Sequence, residues 1–155
     1  MSTTYQLIRD DLSSRIRAIT PGVLADRPFD ILPAKYEATS WSAKGSSDLL
    51  RKVVFRRATV VDAHRLMAES IERNEVVTLT VLYPASLPAL YGVTDLDELE
   101  RVMRLDAAQL RELLVSTSFH LSGHYTSTVS IQRPTTTGTV WTQPLQLTLT
   151  YEETR

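Results

Sequence analysis

Hydrophobic and polar residues alternate most regularly near the end of the chain. Across residues 138–153, Trp141, Leu145, Leu147, Leu149 and Tyr151 alternate with Thr142, Gln146, Thr148 and Thr150. A period of two predicts a strand with one buried and one wet face. Residues 76–83 share this period, with Val77, Leu79, Val81 and Tyr83 on one side. They are the expected companion strand in one sheet. Pro144 interrupts the terminal strand, and its missing N–H predicts an edge or a bend at that point.

The opening residues carry a helical period instead. Tyr5, Ile8, Leu12, Ile16 and Ile19 fall on one stripe, with Asp11 and Arg15 spaced to pair, so residues 4–19 are expected to form a helix ended by Pro21-Gly22. Residues 23–50 hold Pro28, Pro33, Gly45 and a Ser-rich tract around Trp41. They predict a long irregular arm with a short extended piece at Phe29, Ile31 and Leu32. A loop of that length is usually functional or ordered by a partner. Trp41 then either docks on a neighbour or folds back onto its own core.

Residues 51–61 are expected to form a strand, and Asp62 to cap a short helix over 63–73 with Ala63, Leu66, Met67 and Ile71 on one face. A helix beginning at Thr94 carries Asp95, Asp97 and Glu98 in its first turn, which suits the positive end of a helix dipole. Asp106-Ala-Ala-Gln109 repeats a capping pattern and predicts a second short helix to Leu114. Val115, Thr117, Phe119 and Leu121 then alternate, as do Tyr125, Val129 and Ile131. One strand over 115–132 would be roughly 60 Å long, so a hairpin is expected. A loop at Ser122-Gly123-His124 sets Leu121 opposite Tyr125 and Val115 opposite Ile131, which keeps the apolar face intact. Residues 134–138 are the expected turn into the last strand.

This order predicts one α+β domain spanning 1–155. It would be a mainly antiparallel sheet with an N-terminal helix and two or three further short helices packed on it, plus the arm at about 23–50. A chain of 155 residues is long enough for a substantial core. With 43% hydrophobic and 23% charged residues, the composition is that of an ordinary soluble domain. The formal charge of -1 supplies no global field for nucleic acid or anionic membrane. No cysteine is present, so disulfides and thiolate metal sites are excluded. The N-terminus shows no signal-peptide pattern and no apolar run is long enough to span a bilayer, so synthesis in the cytoplasm and no membrane partner are expected.

No cluster announces a reaction, and no catalytic, cofactor or metal residue is assigned. The carboxylates sit at expected helix starts, where cap and dipole roles account for them. His120 and His124 are four apart, but in a strand-turn-strand context without a following acid, which does not match a zinc-protease helix. The tract from Ser42 to Ser47 has its Lys44 before Gly45, the reverse of a phosphate loop. Arg51, Lys52, Arg56 and Arg57 form the densest basic run, split between both strand faces. Intersubunit ion pairs or a solvated strand explain it better than a nucleic-acid stripe.

The layout as a whole resembles small head-tail connector proteins of tailed phages, especially the tail-terminator (tail completion) group. The resemblance is carried by the opening amphipathic helix, the irregular arm, the antiparallel sheet and the long terminal strand Pro144-Leu-Gln-Leu-Thr-Leu-Thr-Tyr-Glu. It implies a virion structural protein of the neck or tail and not an enzyme. That protein would assemble in the host cytoplasm as a homo-oligomeric ring, expected to be a hexamer. The ring would cap the tail tube and meet both the tail tube protein and the head-side connector. DNA would pass through its lumen without sequence-specific contact. A head-completion stopper, a tail-tube-like subunit, a small hydrolase using His120 or His124, and a nucleic-acid-binding regulator are the alternatives. Trp41, Trp141, Arg51, Arg56 and Arg57 are the expected intersubunit or partner contacts. The strand before Pro144 is the expected seam between subunits.

Overall fold

A computed structural model describes residues 4–22, 27–32, 50–57, 62–67, 70–84, 96–116, 119–120, 124–137 and 140–154. Its centre is the pairing of two 15-residue strands, β4 (Ser70–Pro84) and β8 (Val140–Thr154). Every residue of β4 has a register partner in β8, from Ser70↔Thr154 to Pro84↔Val140. The pair runs about 50 Å at ordinary strand rise. The two alternating stretches of the sequence are therefore direct neighbours, as expected.

The other strands extend this pair on both sides. β2 (Lys52–Arg57) and β3 (Asp62–Met67) lie along the outer side of β4. β6 (His124–Ile131) and β7 (Thr135–Thr137) lie along the outer side of β8. The short β1 (Asp30–Ile31) joins β2 in parallel, and β5 (Phe119–His120) joins β6. The path is β1-β2-β4-β8-β6-β5, with β3 on β4 and β7 on β8.

Two helices cover one face, α1 (Thr4–Arg17) and α2 (Leu96–Ser116). Tyr5, Ile8, Leu12 and Ile16 of α1 meet Leu99, Val102, Met103, Leu110 and Leu114 of α2 over the odd-numbered residues of β4 and β8. That parity holds Val77, Leu79, Val81, Tyr83, Leu145, Leu147, Leu149 and Tyr151. Asp11 and Arg15 of α1 pair at 3.3 Å, as their spacing predicts. After α1 the turn is clasped by Gln109, whose Nε2 donates to the Thr20 carbonyl while its Oε1 accepts from the Gly22 N–H, both at 3.2 Å. On the opposite face Leu32, Val54, Leu82 and Val140 form a small second buried cluster.

The expected α+β class, a mainly antiparallel sheet with an N-terminal helix and two or three further short helices, needs correction. The described residues form a mixed sheet with two helices, and strand outweighs helix. Three local readings account for the difference. Residues 63–67 and 70–73 form no helix but the paired strands β3 and β4, Ala63 facing Arg73 and His64 facing Glu72. Their helical spacing was a weak preference. In strand form the far end of β4 has ladders on both sides, to β3 and β8, which satisfies its backbone polar groups. Next, the two short helices expected beyond residue 94 are one continuous helix, because Asp106 does not cap: its carboxylate faces the core. Finally, α2 runs on through Val115, which removes that residue from the expected hairpin. The hairpin itself exists, with Phe119 opposite Tyr125 and His120 opposite His124. It is displaced by two residues from the expected register, a shift that preserves which side chains share a face.

The expected turn over 134–138 is also corrected, since Thr135–Thr137 are a strand paired to β8. Pro144 is neither on an edge nor at the end of pairing. β4 lies on one side of it and the β6–β7 junction on the other. The stretch before Pro144 has strand partners on both sides in its own chain, so it offers no free backbone edge for an intersubunit seam.

Candidate functional site

The β6–β7 junction is where the ladder departs from regularity. Along β6 the paired positions pass from Tyr125↔Tyr151 to Ile131↔Leu145, but along β7 they restart at Thr135↔Thr142. One extra residue is accommodated between Gln132 and Thr135, which makes a bulge. Pro144 explains its place. The Gln132 N–H donates to the Pro144 carbonyl at 3.0 Å, and the return bond would come from the N–H that proline lacks. The Gln143 side chain supplies it instead: Nε2 donates to the Gln132 carbonyl at 2.7 Å and also to the Pro144 carbonyl at 3.0 Å. Gln143 is buried, and its amide nitrogen is engaged twice.

Beside this bulge, between it and α2, lies a cleft of about 420 Å³. Its apolar lining is Trp141, Ile131, Pro134 and Ala107; its polar lining is Glu100, Arg104, Gln132, Arg133 and Gln143. Trp141 is half-buried and packs against the main core. Ile131 keeps 40% of its surface exposed. Arg104 and Arg133 are exposed and make no ion pair among the described residues. The cleft therefore combines an apolar lining with two guanidinium groups that have no ion pair among the described residues.

The other expected contact residues are dispersed. Trp41 lies outside the described residues. Arg51 is 0% exposed, so it is not open to a partner. Its Nε and Nη2 donate to the two oxygens of Asp106 at 2.7 and 2.9 Å, and its Nη1 donates to the Arg27 carbonyl at 3.0 Å. The Tyr83 hydroxyl donates to Asp106 at 2.7 Å. Burial pushes the Asp106 carboxyl up, while Arg51 and Tyr83 pull it down; the net direction is upward. Burial, and then the Asp106 carboxylate, push the Tyr83 phenol well above its ordinary range. Arg57 donates to Glu75, itself buried and bonded by the Tyr151 hydroxyl at 2.7 Å, and lies 4.2 Å from the Tyr5 ring centroid. This bond to Glu75 raises the Arg57 guanidinium further. Arg56 is exposed on the face away from the helices, opposite Thr78. The basic run is thus split three ways, two of its arginines serving the chain's own core.

Sequence reading missed Asp106, Glu75, Arg104, Arg133 and Gln143. A signal existed for the two buried acids. Asp106 falls on the apolar stripe of α2, three and four residues from Met103, Val102 and Leu110, and Glu75 shares the buried parity of Val77 to Tyr83. A charged residue in an apolar period marks an internal partner. Nothing local marked the cleft, which is assembled from α2 and a bulge far apart in sequence.

A second pocket, also about 420 Å³, is lined by Arg17, Arg27, Phe29, Asp30, Leu50 and Lys52. Asp30 accepts from Arg17 at 2.9 Å and from Lys52 at 3.3 Å, which occupies two of its three cations. His120 and His124 are cross-strand neighbours in β5 and β6. Among the described residues no group of three or more metal-binding side chains converges, and no helix is long and apolar enough to cross a membrane. Compared with known proteins, the chain matches no family model and no curated protein.

Proposed function

We propose that the chain is a structural virion protein of a tailed phage, forming a ring at the head-proximal end of the tail tube and joining the tail to the head connector. The observation that supports this most is the sheet itself, whose two faces and flank carry different chemistry. One face is closed by α1 and α2. The other carries cross-strand polar rows, Arg56–Thr78–Gln146–Ser130 and the shorter Thr148–Thr128, made by the registers of β2, β4, β8 and β6. At the flank, the Trp141 cleft is a third kind of surface. A ring protomer needs two unlike complementary surfaces, since a head-to-tail contact that closes makes a ring. A rigid central pair of strands about 50 Å long would hold such surfaces at fixed separation. The polar face suits a wall past which DNA moves without sequence-specific contact.

The test is light scattering and negative-stain microscopy of the purified protein, alone and with isolated tail tubes. Rings, or caps on tube ends, are the expected result. Filaments would favour a tube-like subunit, and binding at the portal side would favour a head-completion stopper. A monomer that forms no ring even with tail tubes overturns the proposal.

A further inference from the structure

We infer that the Trp141 cleft binds an acidic, extended peptide segment of a partner protein, with an apolar side chain on the floor and carboxylates on Arg104 and Arg133. The inference stands on the cleft alone and survives if the ring reading falls.

The occupant follows from charge and shape. Two exposed guanidinium groups without ion pairs among the described residues outnumber one carboxylate, Glu100, so the lining carries a net positive charge. Arginine forks match carboxylates bidentately, and such bonds are about twice as strong as neutral ones. The same lining includes Trp141, Ile131, Pro134 and Ala107, which favour an apolar group rather than a solvated anion. A cleft of about 420 Å³ is within the usual range for a specific site. The bulge makes the position rigid: Gln143 ties both Gln132 and Pro144 in place, so the cleft wall is preorganised.

Nucleic acid also carries negative charge, but the lining argues for peptide. Trp141 is the one aromatic residue that lines the cleft among the described residues, and it is already partly packed on the core. Successive bases need repeated stacking positions along a basic groove.

The test is a titration followed by the Trp141 indole signal in NMR. The probe is a capped Gly-Glu-Leu-Asp-Gly peptide, set against its Gln/Asn counterpart and a ten-residue oligothymidylate. Saturable shifts are expected at the Trp141 indole with the acidic peptide, weakening with salt. Arg104→Gln and Arg133→Gln should each weaken binding about tenfold, the loss expected for one charge-assisted hydrogen bond. Both side chains are exposed, so the fold survives the change. Equal binding of the neutral peptide, unchanged affinity in the double variant, or tighter binding of the oligonucleotide would each overturn the proposal. Rings that form without peptide binding would remove this proposal and leave the connector reading; peptide binding by a strict monomer would do the reverse.

Discussion

Arg51 occupies the left-handed region at φ 56°, a conformation that non-glycine residues adopt at a cost. Its backbone explains why it is tolerated. The Arg51 N–H donates to the Leu82 carbonyl at 2.9 Å, and its own carbonyl accepts from the Asp30 N–H at 3.2 Å. Its side chain meanwhile closes a buried network with Asp106 and Tyr83. Removing one member leaves a buried charge uncompensated, so Asp106→Ala should destabilise by about 3–5 kcal/mol in chemical denaturation. Replacing the trio together by Met, Leu and Phe at Arg51, Asp106 and Tyr83 should recover most of that loss, since packed apolar groups replace buried ions well. Asp30 presents the exposed counterpart. Burial raises its carboxyl, but bonds from Arg17, the Ile31 N–H and Lys52 outweigh burial and hold it below its ordinary value. A lowered acid stabilises the fold at neutral pH and loses that contribution as pH falls through its folded value. The side chain is 48% exposed, so solvent screening limits the effect. Asp30→Asn should cost at most about 1 kcal/mol at neutral pH. Thermal melts of both proteins should converge once the pH has fallen through the lowered folded value of Asp30.

At the scale of elements, α2 shows how a capping pattern is overruled. Asp, Ala, Ala and Gln at 106–109 are what a new helix would begin with. The helix nevertheless continues, because Asp106 points to Arg51 and an unbroken apolar stripe runs from Leu99 to Leu114. Ala108→Pro separates the two arrangements. Proline is tolerated in a helix's first turn, where a cap at Asp106 would place it, but costs about 3 kcal/mol or more inside a helix. A loss of that size in denaturant is expected, and a neutral effect would restore the two-helix reading. Ala108 is exposed, so side-chain packing does not confuse the result. The β3–β4 hairpin teaches the same lesson from the other side. Ala63, Leu66, Met67 and Ile71 have helical spacing, but the ladder of β3 on β4, and the second ladder that joins Ile71 to β8, decide the conformation.

Across the whole molecule, protection should follow the sheet's order. β4 and β8 have partners on both sides, while the outer side of β6 beyond Tyr125 is paired to no described strand. Gln132 donates to Pro144, so alternate residues of β6 point their N–H groups away from β8. Hydrogen exchange is expected to be slowest at Val77, Leu79, Val81, Leu145, Leu147 and Leu149. It should be fastest within the sheet at Ser127, Val129 and Ile131. Comparable protection at the two sets would mean that the β6 edge is covered. The sequence by itself determined the N-terminal helix, the two central strands and which of their residues face inward. Each is a local periodicity that survives whatever surrounds it. Tertiary structure alone decided that residues 63–67 and 70–73 are strand, that α2 is continuous, that Arg51 and Asp106 meet, and that Trp141 shares a cleft with Arg104 and Arg133. Those outcomes depend on ladders and buried charges between segments remote in sequence, which no local period encodes. Pro144 unites the two kinds of information. Its missing N–H was visible in the chain, but only the fold showed that Gln143 fills the gap and that the resulting bulge walls a cleft.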